Sequence, residues 1–125
     1  MKGIGILTFA LAGVLGLTAC IPSDTDNSPP SAPGNLTASA SSSNTIALSW
    51  TAAQTPANGG GVTAYRLERK TGVGAFALVA TPKFNATSYS DAGLTAGTAY
   101  TYRLKAQNAF GFGPYSSESS ASTNP

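Results

Sequence analysis

The sequence predicts an all-β domain built as a two-sheet sandwich. Residues 100–107 set Tyr100, Tyr102, Leu104 and Ala106 against Thr101, Arg103, Lys105 and Gln107, the period-2 pattern of a central strand with one buried and one wet face. Just ahead, Leu94 and Tyr100 stand six apart across the turn Ala96-Gly97-Thr98. That spacing resembles a tyrosine corner, in which a phenol tied back to the backbone pins a turn between two sheets. Charged residues make up only 10% of the 125 residues, and the abundance of Ser, Thr, Ala and Gly suits short strands with polar turns better than charged helices.

The chain opens with an address. Met1 and Lys2 supply a positive end, and residues 4–17 form an apolar run too short and too Gly-rich for a permanent membrane span, so residues 1–19 read as a signal peptide. Leu17-Thr18-Ala19-Cys20 resembles the lipobox of bacterial lipoproteins, a small-residue cleavage site directly before a cysteine. The resemblance implies a mature chain starting at Cys20, with diacylglycerol on the thiol and a further acyl chain such as palmitate on the amino terminus. Several acyl chains, at about 0.8 kcal/mol per buried CH2, hold a protein to a bilayer where one does not. Ile21 is not the Asp that resembles an inner-membrane retention signal, which makes the expected location the outer membrane or cell surface.

A linker is expected over residues 20–32. The stretch Ile-Pro-Ser-Asp-Thr-Asp-Asn-Ser-Pro-Pro-Ser-Ala-Pro ending at Pro33 has four prolines and little apolar content, too little to offset the entropy of ordering it. Its reach is at most about 45 Å fully extended and roughly 20 Å as a coil.

The domain follows over residues 33–124. Leu36, Ala38 and Ala40 alternate as an edge-type first strand, and residues 41–44 turn it. Residues 45–50 form the next, with Ile46, Leu48 and Trp50 on one face, the only tryptophan landing where a sandwich core takes its largest side chain. Residues 52–61, rich in Gly, are a loop. Residues 62–70 are a strand with Tyr65 and Leu67 inward and Arg66, Glu68 and Lys70 outward. The turn 71–74 leads to a short strand at 75–80 holding Phe76 and Leu78, and another is expected at 87–90. The central strand ends at Asn108, a Gly-rich hairpin loop spans 109–114, and a polar last strand runs over 115–123.

The ordered anchors Pro33, Leu36, Trp50, Tyr65, Leu67, Leu94, Tyr100, Tyr102, Leu104, Ala106, Asn108, Gly111 and Gly113 resemble those of a fibronectin type III domain, an immunoglobulin-like fold. The resemblance covers about residues 32–123. It implies seven antiparallel strands, three against four, with no disulfide, and it makes Trp50, Tyr65, Leu94, Tyr100 and Tyr102 structural. It also implies that the loops at 52–61 and 109–114 share a pole with the amino terminus.

Several function classes are excluded by residue type. The chain has no histidine and one cysteine, which rules out a Ser-His-Asp triad, a Cys/His dyad, a zinc site and an internal disulfide. Five carboxylates are too few and too scattered for acid–base catalysis, with Asp24 and Asp26 in the linker, Glu68 outward, Asp91 in a turn where it caps backbone, and Glu118 on the last strand. After residue 19, six basic groups stand against five acidic, without the clustered excess that nucleic-acid binding needs. No enzyme activity, metal or cofactor is expected.

Two surfaces are candidates for binding. One is the loop tip, where Phe110 and Phe112 flank Gly111 and Tyr115 follows Pro114. Exposed aromatics of this kind anchor protein interfaces or stack on sugar rings, although one Phe folded over the sandwich end and Tyr115 packed within the last strand is the plainer expectation. The other is the outer sheet face where Arg66, Lys70, Arg103 and Lys105 surround Glu68, a mildly basic patch suited to acidic polysaccharide or lipid headgroups, or simply a solvated face. Asn35-Leu36-Thr37 and Asn85-Ala86-Thr87 match the glycosylation sequon, read here as coincidence.

The functional expectation is a membrane-anchored, non-catalytic binding or spacer module of the bacterial cell envelope. It would be held to lipid through acylated Cys20 and act through association with an envelope or extracellular protein. The alternatives are a carbohydrate-binding module using the aromatic loop on polysaccharide, and a structural subunit that self-associates through its last, Ser-rich edge strand.

Overall fold

The structure, a computed structural model, describes residues 27–56 and 60–125. The expected signal peptide, Cys20 and the first part of the linker lie outside the described residues. Eight strands form, with no helix among the described residues: β1 Gly34–Ala40, β2 Ile46–Thr51, β3 Ala64–Thr71, β4 Ala77–Ala80, β5 Ser88–Asp91, β6 Ala99–Asn108, β7 Gly111–Phe112 and β8 Ser119–Ser122.

All pairings are antiparallel, in two sheets. One has the order β1-β2-β5; the other has the order β4-β3-β6-β7, with β8 also paired to β6. The expected last strand at 115–123 is shortened to Ser119–Ser122, and Gly111–Phe112, expected within the hairpin loop, pairs with the same partner strand. Pro114 has no N–H to give to the ladder, and pairing resumes only at Ser119. Between these two strands, Ser116 stays in register by exchanging bonds with Leu104: its N–H donates to the Leu104 carbonyl at 2.6 Å, and its hydroxyl accepts from the Leu104 N–H at 3.0 Å.

Alternation decides which side chains enter the core. Leu36, Ile46, Leu48 and Trp50 from one sheet meet Tyr65, Leu67, Tyr100, Tyr102, Leu104 and Ala106 from the other, with Leu94 closing the end. Trp50 and Tyr65 pack ring to ring at 5.7 Å and a 58° tilt, within the range favoured by aromatic quadrupoles. Tyr65 also accepts a 3.2 Å bond from the Ala53 N–H, tying the 52–61 loop to the core. The corner forms as the spacing predicts: the Thr95 N–H donates to the Tyr100 phenol at 3.0 Å.

Four expectations change. Asp91 ends strand β5 and is buried rather than capping a turn; its Oδ2 accepts from Arg69 Nη1 and from the Tyr102 hydroxyl, each at 2.7 Å. Arg69 shares the inward parity of Tyr65 and Leu67, so this ion pair joins the two sheets. Glu68 lies on the outer face yet is only 5% exposed, because neighbouring side chains cover it. The short strand starts at Ala77, which leaves Phe76 free to lean over the adjacent sheet face. Finally, residues 27–32, expected within the linker, lie on the domain: Pro30 is fully buried, the Asn108 side-chain amide donates to the Ser28 carbonyl at 2.9 Å, and Ser31 exchanges two 2.9 Å bonds with Gln54. Proline is short of conformational entropy to lose, which lowers the cost of docking this stretch.

Candidate functional site: an aromatic and cationic face

The antiparallel register of β3 and β6 places Arg66 beside Lys105, Glu68 beside Arg103 and Lys70 beside Thr101. All point to the outer face by alternation. Glu68 is the hub. Its Oε2 accepts from Arg66 Nε at 2.8 Å and from the Tyr115 hydroxyl at 2.9 Å, while its Oε1 is 2.8 Å from Arg103 Nη2 and 2.9 Å from Arg103 Nε. Burial works against the Glu68 charge, but the bonds from Arg66, Arg103 and Tyr115, with the positive charge of Arg103, outweigh it and pull its pKa from the usual 4.5 to about 2.

With its orientation fixed by Glu68, the Arg103 guanidinium lies between two rings, 4.0 Å from the Phe76 centroid and 3.8 Å from that of Tyr115. Lys105 Nζ sits 4.6 Å from the Tyr115 ring and 4.3 Å from the Phe112 ring, and Lys70 Nζ lies 5.0 Å from Phe76. Together they make a row in which cation and ring alternate: Lys70, Phe76, Arg103, Tyr115, Lys105, Phe112. Each contact is worth about 0.5 to 1 kcal/mol at exposed sites. The row thus holds otherwise mobile long side chains in fixed places.

The two surfaces read separately from sequence are one. Arg66, Lys70, Arg103, Lys105, Phe112 and Tyr115 meet on a single sheet face. Tyr115 belongs to no strand and spends its hydroxyl on Glu68. Neither Phe folds over the sandwich end: Phe110 and Phe112 remain 45% and 42% exposed. Phe110 stands outside the row at the loop tip, its N–H donating to the Asn108 side-chain oxygen at 2.8 Å. Phe76, placed from sequence in the short strand, was not expected at this site, although the tight 71–74 turn that folds it back beside Lys70 was visible.

The partly buried Arg69–Asp91 ion pair behind this face serves stability. Burial opposes the Arg69 charge, but its bond to Asp91 raises its pKa above the ordinary value. Burial, then the bond to and charge of Asp91, drive the Tyr102 phenol well above its usual range. Neither group faces a cleft; no pocket is present among the described residues, and none of their His, Cys, Asp and Glu side chains cluster as a metal site would require.

The profile of the fibronectin type III domain matches residues 31–122. Over 91 residues the chain is 40% identical to an alpha-amylase of Niallia circulans, a match covering 73% of this chain and 6% of the amylase. Over 94 residues it is 36% identical to exoglucanase B of Cellulomonas fimi, covering 75% of this chain and 8% of that enzyme. The chain thus spans only a small fraction of the length of these relatives. A solved Fn3-like protein from Clostridium thermocellum superposes with a TM-score of 0.63 at 31% identity, over 78% of this chain and 97% of that one. A beta-1,2-glucanase from Parabacteroides distasonis shares the fold alone, with a TM-score of 0.66 at 23% identity, over 80% of this chain and 13% of that one. With its corner tyrosine, its two antiparallel sheets and a family match across residues 31–122, the chain belongs to the fibronectin type III domain family.

Proposed function

We propose that this chain is a lipid-anchored, non-catalytic binding and spacer module of a bacterial cell envelope, acting through association with another protein. The observation that carries it is the cation–ring row on an open sheet face. Small-molecule sites are concave, whereas protein interfaces are broad surfaces whose energy comes from a few fixed aromatic and Arg side chains. Arg103, held by Glu68 and two rings, is already ordered before any partner arrives, so little rotamer entropy is left to lose on binding. The lipobox-like run at residues 17–20 supports the anchor.

A photo-crosslinking residue in place of Leu78, which lies opposite Glu68 and is exposed, tests this in intact cells. The expected result is a discrete adduct with one envelope protein, lost on Phe76→Ala. A smear without a discrete adduct, together with unchanged envelope assemblies on deletion, would remove the proposal.

Polysaccharide is the second reading, favoured by the exposure of Phe110 and Phe112 and by relatives named as an amylase and an exoglucanase. Retention of the domain on insoluble polysaccharide, abolished by Phe112→Ala, would establish it in place of the first.

A further inference from the structure

We infer that the 109–112 loop tip is a lipid-contacting foot that seats this pole of the domain in the membrane interface, resting on the reading that Cys20 is acylated. The inference comes from where the described residues attach the chain to the domain and from the number of residues between that point and Cys20. Residues 28–31 are held between the 52–61 loop, through Ser31 and Gln54, and the β6–β7 hairpin, through Asn108. Gly113 is moulded to this segment: a Cβ there would collide with the Pro30 carbonyl, and one at Gly111 would touch the Pro29 ring. Only seven peptide steps then separate Cys20 from Asn27, a reach of at most about 25 Å. Strand β6 alone, ten residues from Ala99 to Asn108, is about 33 Å long at roughly 3.3 Å per residue. The tether is therefore too short to pass along the sandwich to its far end, and the pole carrying the 109–112 loop is the one held to the bilayer.

That pole carries the chemistry of an interfacial contact. Phe110 and Phe112 are exposed on either side of Gly111. Lys105 lies against the Phe112 ring and takes part in no salt bridge among the described residues. Aromatic side chains that enter the headgroup and acyl boundary beside a cation matched to anionic headgroups form an interfacial anchor. The cation–ring row rises from this foot along the sheet, which turns Arg103 and Phe76 sideways toward a lateral partner.

The test uses the full acylated chain in vesicles of phosphatidylethanolamine and phosphatidylglycerol. Because Cys20 is consumed by acylation, Ala109→Cys provides one reactive thiol for a spin label, and Ala96→Cys provides one at the far pole. The expected result is a label at 109 relaxed by oxygen as in lipid and a label at 96 relaxed by aqueous nickel. Phe110→Ser with Phe112→Ser, both exposed positions, should turn the 109 label aqueous while the protein stays on the vesicles. An aqueous 109 label on vesicle-bound wild type overturns the inference and leaves the anchor standing. Protection of that label only on adding insoluble polysaccharide overturns it in favour of a glycan surface. An unmodified Cys20 by mass spectrometry overturns the anchor, and the inference with it.

Discussion

Tyr115 donates its phenolic hydrogen to Glu68 at 2.9 Å across 47 residues of sequence, and that bond joins the segment after the 109–114 loop to the face of strand β3. The Arg103 guanidinium is enclosed by the consequence: Glu68 holds its edge and the Tyr115 ring covers its plane.

Glu68 should make the domain acid-sensitive in a defined window. Its folded pKa of about 2 lies below the usual 4.5, so the stability it contributes is present above pH 4.5 and is lost as pH falls through about 2. The full shift corresponds to about 3 kcal/mol. Urea unfolding of wild type and Glu68→Gln at neutral pH and near pH 2 should show the variant less stable at neutral pH and the gap closing in acid. A gap that stays constant would refute the assignment.

Asp91→Ala should cost about 2 to 3 kcal/mol, because it leaves the buried Tyr102 hydroxyl without its acceptor and the partly exposed Arg69 without its counter-charge. Adding Arg69→Met and Tyr102→Phe to Asp91→Leu should recover much of that loss, since the triple variant leaves neither a charge nor a buried hydroxyl without a partner. Chemical denaturation of Arg69→Met, Asp91→Leu and the two together, each in a Tyr102→Phe background, gives the Arg69–Asp91 coupling energy.

Tyr100→Phe keeps the ring and removes the acceptor for the Thr95 N–H. A loss of about 1 to 2 kcal/mol is expected, read as a shift in the denaturation midpoint with an unchanged slope.

Gly113→Ala should release the 28–31 segment without unfolding the sandwich, because the added methyl meets the Pro30 carbonyl while the core lies elsewhere. Hydrogen exchange should speed up at the Ser31 and Gln54 amides, which bond each other's residues, and stay slow along β3 and β6. Protection retained at Ser31 and Gln54 would show that the clamp does not depend on this close approach.

Much of this protein was legible in its residues. Two-residue periodicity selected Tyr100, Tyr102, Leu104 and Ala106 for the core, and the Leu94–Tyr100 spacing marked the corner, because both are local consequences of strand geometry and turn length. The outward parity of Arg66, Lys70, Arg103 and Lys105 was local in the same sense. What only the tertiary structure decided was which distant groups meet. Glu68 has outward parity and is nonetheless buried, since Tyr115 and two arginines from other positions close over it. Arg69 finds Asp91 across the sandwich, and Pro30 finds a seat against Gly113. Alternation assigns a side chain to a face; cover, charge partners and the point where the chain attaches to the domain depend on contacts between segments far apart in the chain, which no local pattern encodes.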